Sequence, residues 1–196
     1  MNQVALKAGF DDSVHDSQRV FRALLDAMSR PGRVVTPPAP PEIPAALHPA
    51  TAAVCLALLD FETPLWLAGP DIAETRAWLA FHAGCPFAAT PDQAAFALVT
   101  AVNALPALDG FALGSDEMPE RSTTLILQVD GLEAGRGKRL SGPGIDGAAL
   151  LAVEGPTDAF GVERAAACGL FPRGLDVIFI DGTALAALPR TTQVED

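Results

Sequence analysis

Two segments near the carboxyl end combine residue types that bind oxyanions. Phe171-Pro172-Arg173-Gly174-Leu175-Asp176 and Leu188-Pro189-Arg190-Thr191-Thr192 each set an arginine directly after a proline. A guanidinium presents planar, forked donors that match phosphate, phosphonate or carboxylate geometry. The Thr191 and Thr192 hydroxyls add donors beside Arg190. The same groups would serve equally well to hold a partner protein, and the residues alone leave that choice open. A third segment, Gly142-Pro143-Gly144-Ile145-Asp146-Gly147, matches the pattern GxGxxG. A dinucleotide fingerprint also needs a preceding strand, a following helix and an acidic residue beyond the next strand. Little chain follows, and Pro143 stiffens the turn, so a structural glycine turn is the expected reading. The competing one is a loop whose backbone N–H groups approach an anion, since glycines allow close approach. The candidate anion-binding set is therefore Arg22, Arg173, Arg190, Thr191 and Thr192, with the backbone of Gly142 and Gly144. Arg22 also stands four residues before Asp26, the spacing of an ion pair on one helix face. A solvated pair of that kind contributes little to stability.

No residue stands out as catalytic. There is no GxSxG nucleophile elbow. Gly137-Lys138 is followed by Arg139 rather than Ser or Thr, so there is no Walker A loop. His82 and Cys85 have a two-residue gap, but two ligands do not make a zinc site, and His15 and His48 sit in unrelated contexts. No metal is expected. A pyridoxal-phosphate enzyme needs a Schiff-base lysine, and Lys7 and Lys138 are poor candidates. No cofactor is expected. Cys55, Cys85 and Cys168 are odd in number and contain no CxxC pair, which fits reduced thiols in a cytoplasmic protein.

The elements that position these residues follow from pattern. The chain has 196 residues, 49% hydrophobic and 19% charged, with a net charge of -11. Its mean hydropathy is +0.28. That excludes a disordered chain. The acidic balance argues against a nucleic-acid binder, which needs a Lys/Arg excess. There are 11 arginines against 2 lysines, consistent with composition bias and with a few Arg forks on oxyanions. No basic segment followed by an apolar run marks a signal peptide, and Pro44, His48 and Pro49 interrupt the longest apolar stretch, so no membrane span is expected.

Residues 1–12 read as a loose arm and 13–196 as one domain. Helices are expected over Ser17–Met28, Pro49–Leu59, Asp71–Phe81, Ala101–Leu108 and Asp158–Cys168. Ser17 or Asp16 would cap the first and Thr157 the last. Strands are expected over Arg33–Thr36, Thr63–Leu67, Ala94–Thr100, Thr123–Val129 and Asp176–Ile180, with weaker ones at Lys138–Ser141 and Ala148–Val153. The alternation argues an α/β fold: a single-domain, three-layer mixed sheet with flanking helices.

Eight segments, in order, resemble those of the PhnH family, a component of the bacterial carbon–phosphorus lyase system. They are FRALLDAMSRPG at 21–32, LALLDFETPLWL at 56–67, FHAG at 81–84, PDQAAFALV at 91–99, PERSTTLILQV at 119–129, LSGPGI at 140–145, FPRGLDVIFI at 171–180 and LPRTTQVE at 188–195. Each is modest alone; their order and spacing are specific, and they run from Val14 to Glu195. Pro37–Pro41 and Gly135–Gly137 depart where family variation is expected. Asp26, Asp60, Thr63, His82 and Asp176 stand as supporting residues.

The resemblance implies a fold locally similar to pyridoxal-phosphate-dependent transferases without that cofactor. It implies a homodimer joined to PhnG, PhnI and PhnJ. With PhnL as helper, that machinery displaces adenine of ATP by methylphosphonate, giving α-D-ribose 1-methylphosphonate 5-triphosphate. PhnJ later breaks the C–P bond, and this chain lacks the three-cysteine iron–sulfur motif such a subunit needs. The first step must hold two polyanions together, so positioning and charge neutralisation supply most of the rate. A chain of net charge -11 does not look built to do that alone. An accessory or structural subunit is the expected role, with the PhnI-type subunit doing the chemistry. The alternatives are a free-standing enzyme on an anionic metabolite and a binding module for a phosphonate or nucleotide.

Overall fold

Continuous apolar runs build the centre of the protein. A computed structural model describes residues 9–195. Its main sheet has the order β1-β2-β3-β6-β7, formed by β1 (Leu65–Ala68), β2 (Phe96–Val99), β3 (Thr124–Gln128), β6 (Asp176–Asp181) and β7 (Ala184–Leu188). The first four are parallel, with Leu65, Phe96, Thr124 and Asp176 in register at their amino ends. β7 returns antiparallel to β6. A parallel sheet is covered on both faces, which is why its strands read as unbroken apolar runs.

Alternate residues feed two cores. Leu65, Leu98, Ile126, Ile178 and Ile180 meet three helices: α1 (Ser13–Ser29), α2 (Pro49–Leu58) and α3 (Ile72–His82). Ala97, Leu125, Leu127, Val177 and Phe179 face the other way. There they meet Leu140 of β4 (Gly131–Ser141), Leu151 of β5 (Ala149–Glu154), and Phe160 of α4 (Asp158–Cys168). With β8 (Gln193–Glu195), these strands form a second, antiparallel sheet of order β5-β4-β8.

The helices show why they form where they do. Val20, Leu24 and Ala27 recur at helical spacing and are the buried stripe of α1. Burying Val20 and Leu24 contributes roughly 1.5–3 kcal/mol each. α2 is apolar all round and buried from Ala50 to Cys55, with Pro49 in its first turn. The Thr157 hydroxyl caps α4 by accepting from Phe160 N–H.

Several expectations need correction. α1 starts at Ser13, and Asp12 caps it rather than Asp16 or Ser17; the Asp12 carboxylate accepts from His15 N–H at 3.0 Å. The arm assigned to residues 1–12 is ordered from residue 9, since Phe10 packs on the helical core; residues 1–8 lie outside those described. Residues 101–108 do not form a helix. They make short 3-10 turns at Val102–Ala104 and Leu108–Gly110, because Pro106 lacks the N–H that would continue a helix. The strand expected over Arg33–Thr36 reduces to one bridge, Val35 to Leu185. β4 begins at Gly131, well before Lys138, with an irregularity between Ala134 and Lys138. The fold is mixed α/β, as expected, but it carries two sheets rather than one.

Candidate functional site

Arg190 and Asp176 form the most connected polar cluster. Asp176 opens β6, and Arg190 follows β7 by two residues. The Asp176 carboxylate accepts from Arg190 N–H at 2.8 Å, from Nε at 3.3 Å and from Nη2. Nη2 also donates to the Ser122 hydroxyl at 2.7 Å. Nη1 donates to the Pro119 carbonyl at 2.7 Å and the Pro172 carbonyl at 3.4 Å. A guanidinium has five N–H donors, so all of them have acceptors inside the chain. Both side chains are 16% exposed. Gly174, at φ +148, makes room: a Cβ there would stand 3.0 Å from the Arg190 Cβ.

The other sequence candidates are placed as follows. Gly142 has φ +129, and a Cβ there would lie 3.0 Å from the Thr191 carbonyl oxygen. Gly144 has φ +82, and a Cβ there would clash with the Ser29 carbonyl oxygen at the end of α1. Both glycines therefore pack against carbonyl oxygens where a side chain would not fit. The Gly142–Gly147 segment joins β4 to β5 and leads to no helix, so it is a structural turn and not a dinucleotide loop.

Thr191 is half-buried. Thr192 is fully buried, and its Oγ1 has no hydrogen-bond partner. Arg173 reaches Asp116 on the surface, with Nε 3.2 Å from Oδ1. Arg22 is exposed on α1. The pair expected between Arg22 and Asp26 is not made: Asp26 is taken by Arg30 and Arg33, which approach from the end of the helix.

Asp60 and Thr63 close a turn on themselves. Asp60 N–H donates to Thr63 Oγ1 at 2.7 Å, and Glu62 N–H to Asp60 Oδ1 at 2.9 Å. His82 packs between aromatic neighbours, its ring 4.8 Å from Trp78 and 4.9 Å from Phe81. Cys85, just beyond the end of α3, is buried, and burial pushes its thiol pKa up. The structure thus brings Arg190, Asp176, Gly142, Thr191 and Thr192 into one region, and leaves Arg22, Asp60, Thr63 and His82 elsewhere.

Three polar residues of this framework are not singled out by sequence pattern. Arg164 is 4% exposed inside α4. It donates to the Pro189 carbonyl at 2.8 Å and the Thr192 carbonyl at 2.9 Å, and so anchors the turn that carries Arg190. A signal for it exists: Phe160, Arg164 and Cys168 recur every four residues on the inward stripe of the helix. Gln128, buried at the end of β3, is the second. Its Nε2 donates to the Ala46 carbonyl at 3.0 Å and the Thr100 carbonyl at 3.1 Å. Its Oε1 accepts from His48 N–H at 2.7 Å. His48, the third, accepts at Nδ1 from Gly182 N–H at 3.0 Å.

The two clusters close opposite ends of the parallel sheet. Arg190 and Asp176 lock the amino ends, and Gln128 and His48 fill the carboxyl ends. Open α/β sheets bind ligands outside the carboxyl ends of their strands. Here that crevice is occupied by the protein's own loop at 46–48.

The fold and these clusters define a mixed α/β protein whose arginine-rich carboxyl-terminal framework is wired to its own chain. The sequence pattern of PhnH, described as bacterial phosphonate metabolism protein, matches residues 8–195. The chain belongs to the PhnH family. It is 42% identical over 191 residues to the alpha-D-ribose 1-methylphosphonate 5-triphosphate synthase subunit PhnH of Rhizobium meliloti (strain 1021), covering 95% of this chain and 94% of that one. It is 32% identical over 177 residues to the protein named "Putative C-P lyase subunit protein HtxG" of Stutzerimonas stutzeri, covering 90% and 85%.

Proposed function

We propose that this chain is the PhnH component of an α-D-ribose 1-methylphosphonate 5-triphosphate synthase, acting in phosphonate use as a shaping subunit rather than a supplier of reacting groups. The relationship to the Rhizobium meliloti protein supports the assignment. The observation that carries the shaping role is Arg190: every one of its donors ends on Asp176, Ser122, Pro119 or Pro172 of the same chain. A guanidinium so engaged has nothing left for ATP or a phosphonate. The protein acts as a homodimer in the cytoplasm, as one domain within an assembly with PhnG, PhnI and PhnJ subunits. Its scaffold follows the transferase-like α/β pattern without pyridoxal phosphate. Lys138 lies on β4 of the second sheet, away from the carboxyl ends of the parallel strands. No helix among the described residues is long and apolar enough to cross a membrane.

Co-expression with PhnG, PhnI and PhnJ, followed by affinity purification and light scattering, tests this reading. A stoichiometric complex containing the chain is the expected result. A lone dimer under the same conditions overturns it. Turnover of ATP and methylphosphonate by the isolated chain would overturn the shaping role.

A further inference from the structure

The second sheet and α4 flank an open pocket of about 630 Å3, within the range typical of small-molecule sites. Leu140, Leu151, Phe160, Phe179 and Leu188 give it an apolar floor. Lys138, Thr157, Asp158 and Gln193 add polar groups to its walls. Arg164 lines it as well. Three of the five guanidinium hydrogens have acceptors: the Thr192 carbonyl and, at 3.4 Å, the Cys168 Sγ from Nη1, and the Pro189 carbonyl from Nη2. Nε is buried and donates to nothing. An unmatched buried donor is costly, and more so on a charged group.

The charge is unmatched too. Neither carbonyl is ionic, and among the described residues no carboxylate lies within ion-pair distance of Arg164. Asp176 is near enough for its charge to be felt. It is already bonded to Arg190. One carboxylate therefore serves two guanidinium groups, and a surplus positive charge sits beside the apolar floor of the pocket. Burial pulls the Arg164 pKa down from its ordinary value, yet arginine starts so high that it stays charged. The remaining charged wall groups are Lys138 on β4 and Asp158 at the first turn of α4.

We propose that this pocket binds an organic oxyanion, its phosphonate or carboxylate head set against the Arg164 guanidinium and its apolar body lying along the floor built by Leu140, Leu151, Phe160 and Phe179. The head supplies the missing countercharge. The floor favours an apolar substituent over a bare inorganic ion. The site belongs to this chain alone and does not depend on the synthase assignment.

Isothermal titration calorimetry of the full chain with hexylphosphonate, hexanoate, hexan-1-ol and inorganic phosphate is the test. The two six-carbon anions are expected to bind at least about tenfold more tightly than the alcohol or phosphate, a difference of about 1.4 kcal/mol. Gly161 lines the pocket, and a Cβ there meets nothing within 4 Å. Gly161→Phe is therefore expected to fold normally, obstruct the pocket and weaken hexylphosphonate by a similar factor. Arg164→Lys, which keeps the charge but loses the fork, is expected to weaken both anions. If that variant does not fold, Gly161→Phe decides alone. Equal binding of hexan-1-ol, undiminished binding in a folded Gly161→Phe, or no heat from either anion at millimolar concentration overturns the proposal.

Discussion

Asp176→Ala separates a structural Arg190 from a functional one. The substitution removes three hydrogen bonds from Arg190, two of them from a guanidinium that is 16% exposed. Removing one partner of a fully buried ion pair costs about 3–5 kcal/mol, because the other charge is left uncompensated. Arg190 keeps Ser122 and two carbonyls, and some water reaches it, so a loss of about 2–4 kcal/mol is expected. For a chain of this length that lowers Tm by roughly 5–15 °C. Scanning calorimetry and urea unfolding read it directly. The double variant Asp176→Ala/Arg190→Ala should lose less than the sum of the singles, with a coupling of about 1–3 kcal/mol. The reasoning is refuted if Asp176→Ala and Arg190→Ala each leave stability within about 0.5 kcal/mol of the parent, the range of an ordinary surface change. Refutation is sharper still if Arg190→Ala keeps stability and assembly yet abolishes product formation by the complex. Arg190 would then be a working group and the shaping role would fall.

Gln128→Leu strands the His48 N–H and two carbonyls in a part-buried site, so a loss of about 1–3 kcal/mol is expected in urea unfolding; a near-neutral result would mean the 46–48 loop is not held by this side chain. Cys55 is fully buried, and desolvation, with Cys85 nearby, raises its thiol pKa. A raised folded pKa means its contribution is whole below the unfolded thiol value and is lost as pH climbs from there toward the folded one. Stability should therefore decline above about pH 8.5, the ordinary thiol value. A thiol reagent should label Cys55 only at the rate of unfolding, and rapid labelling of the native protein would contradict the burial.

The parallel sheet is legible in the sequence because its strands advertise themselves. TTLILQV and DVIFI are apolar without alternation, which suits a strand covered on both faces. β7, Ala184–Leu188, is not, since ALAAL has no β-branched residue and carries helix formers. It is a strand because β6 offers it an edge and α1 covers it. β4 reads short because Gly131–Gly137 is glycine-rich and exposed, and a strand paired on one side needs no apolar pattern there. In the site, residue types can be read from sequence and their partners cannot. Arg190 reads as a donor in search of an anion; the anion is Asp176, fourteen positions earlier and brought opposite by the β6–β7 hairpin. Asp26 shows the same limit in miniature. Spacing allows Arg22, but Arg33 turns back over the helix end after Pro31-Gly32 and competes with it.

The pattern of closures bears on what kind of work the chain does. An open α/β sheet that handled a nucleotide would keep its carboxyl-end crevice accessible and its phosphate-facing donors unpaired. Here Gln128 draws the 46–48 loop over that end, and His48 ties the loop to Gly182 beyond β6. The opposite end is bolted by Arg190, and Gly142 and Gly144 of the GxGxxG segment abut carbonyls. The compound named for the related synthase, a ribose methylphosphonate triphosphate, is a polyanion, and this chain carries a net charge of -11. Local donors would have to overcome that field. Most are instead matched internally, although Thr192 Oγ1 has no partner and Arg164 keeps both an unpartnered Nε and an unmatched charge. Closed sheet ends and internally bonded polar groups suit the proposed shaping role. The surplus charge at Arg164 is the exception, and it is the place where a small organic anion would change the stability of the chain without being transformed by it.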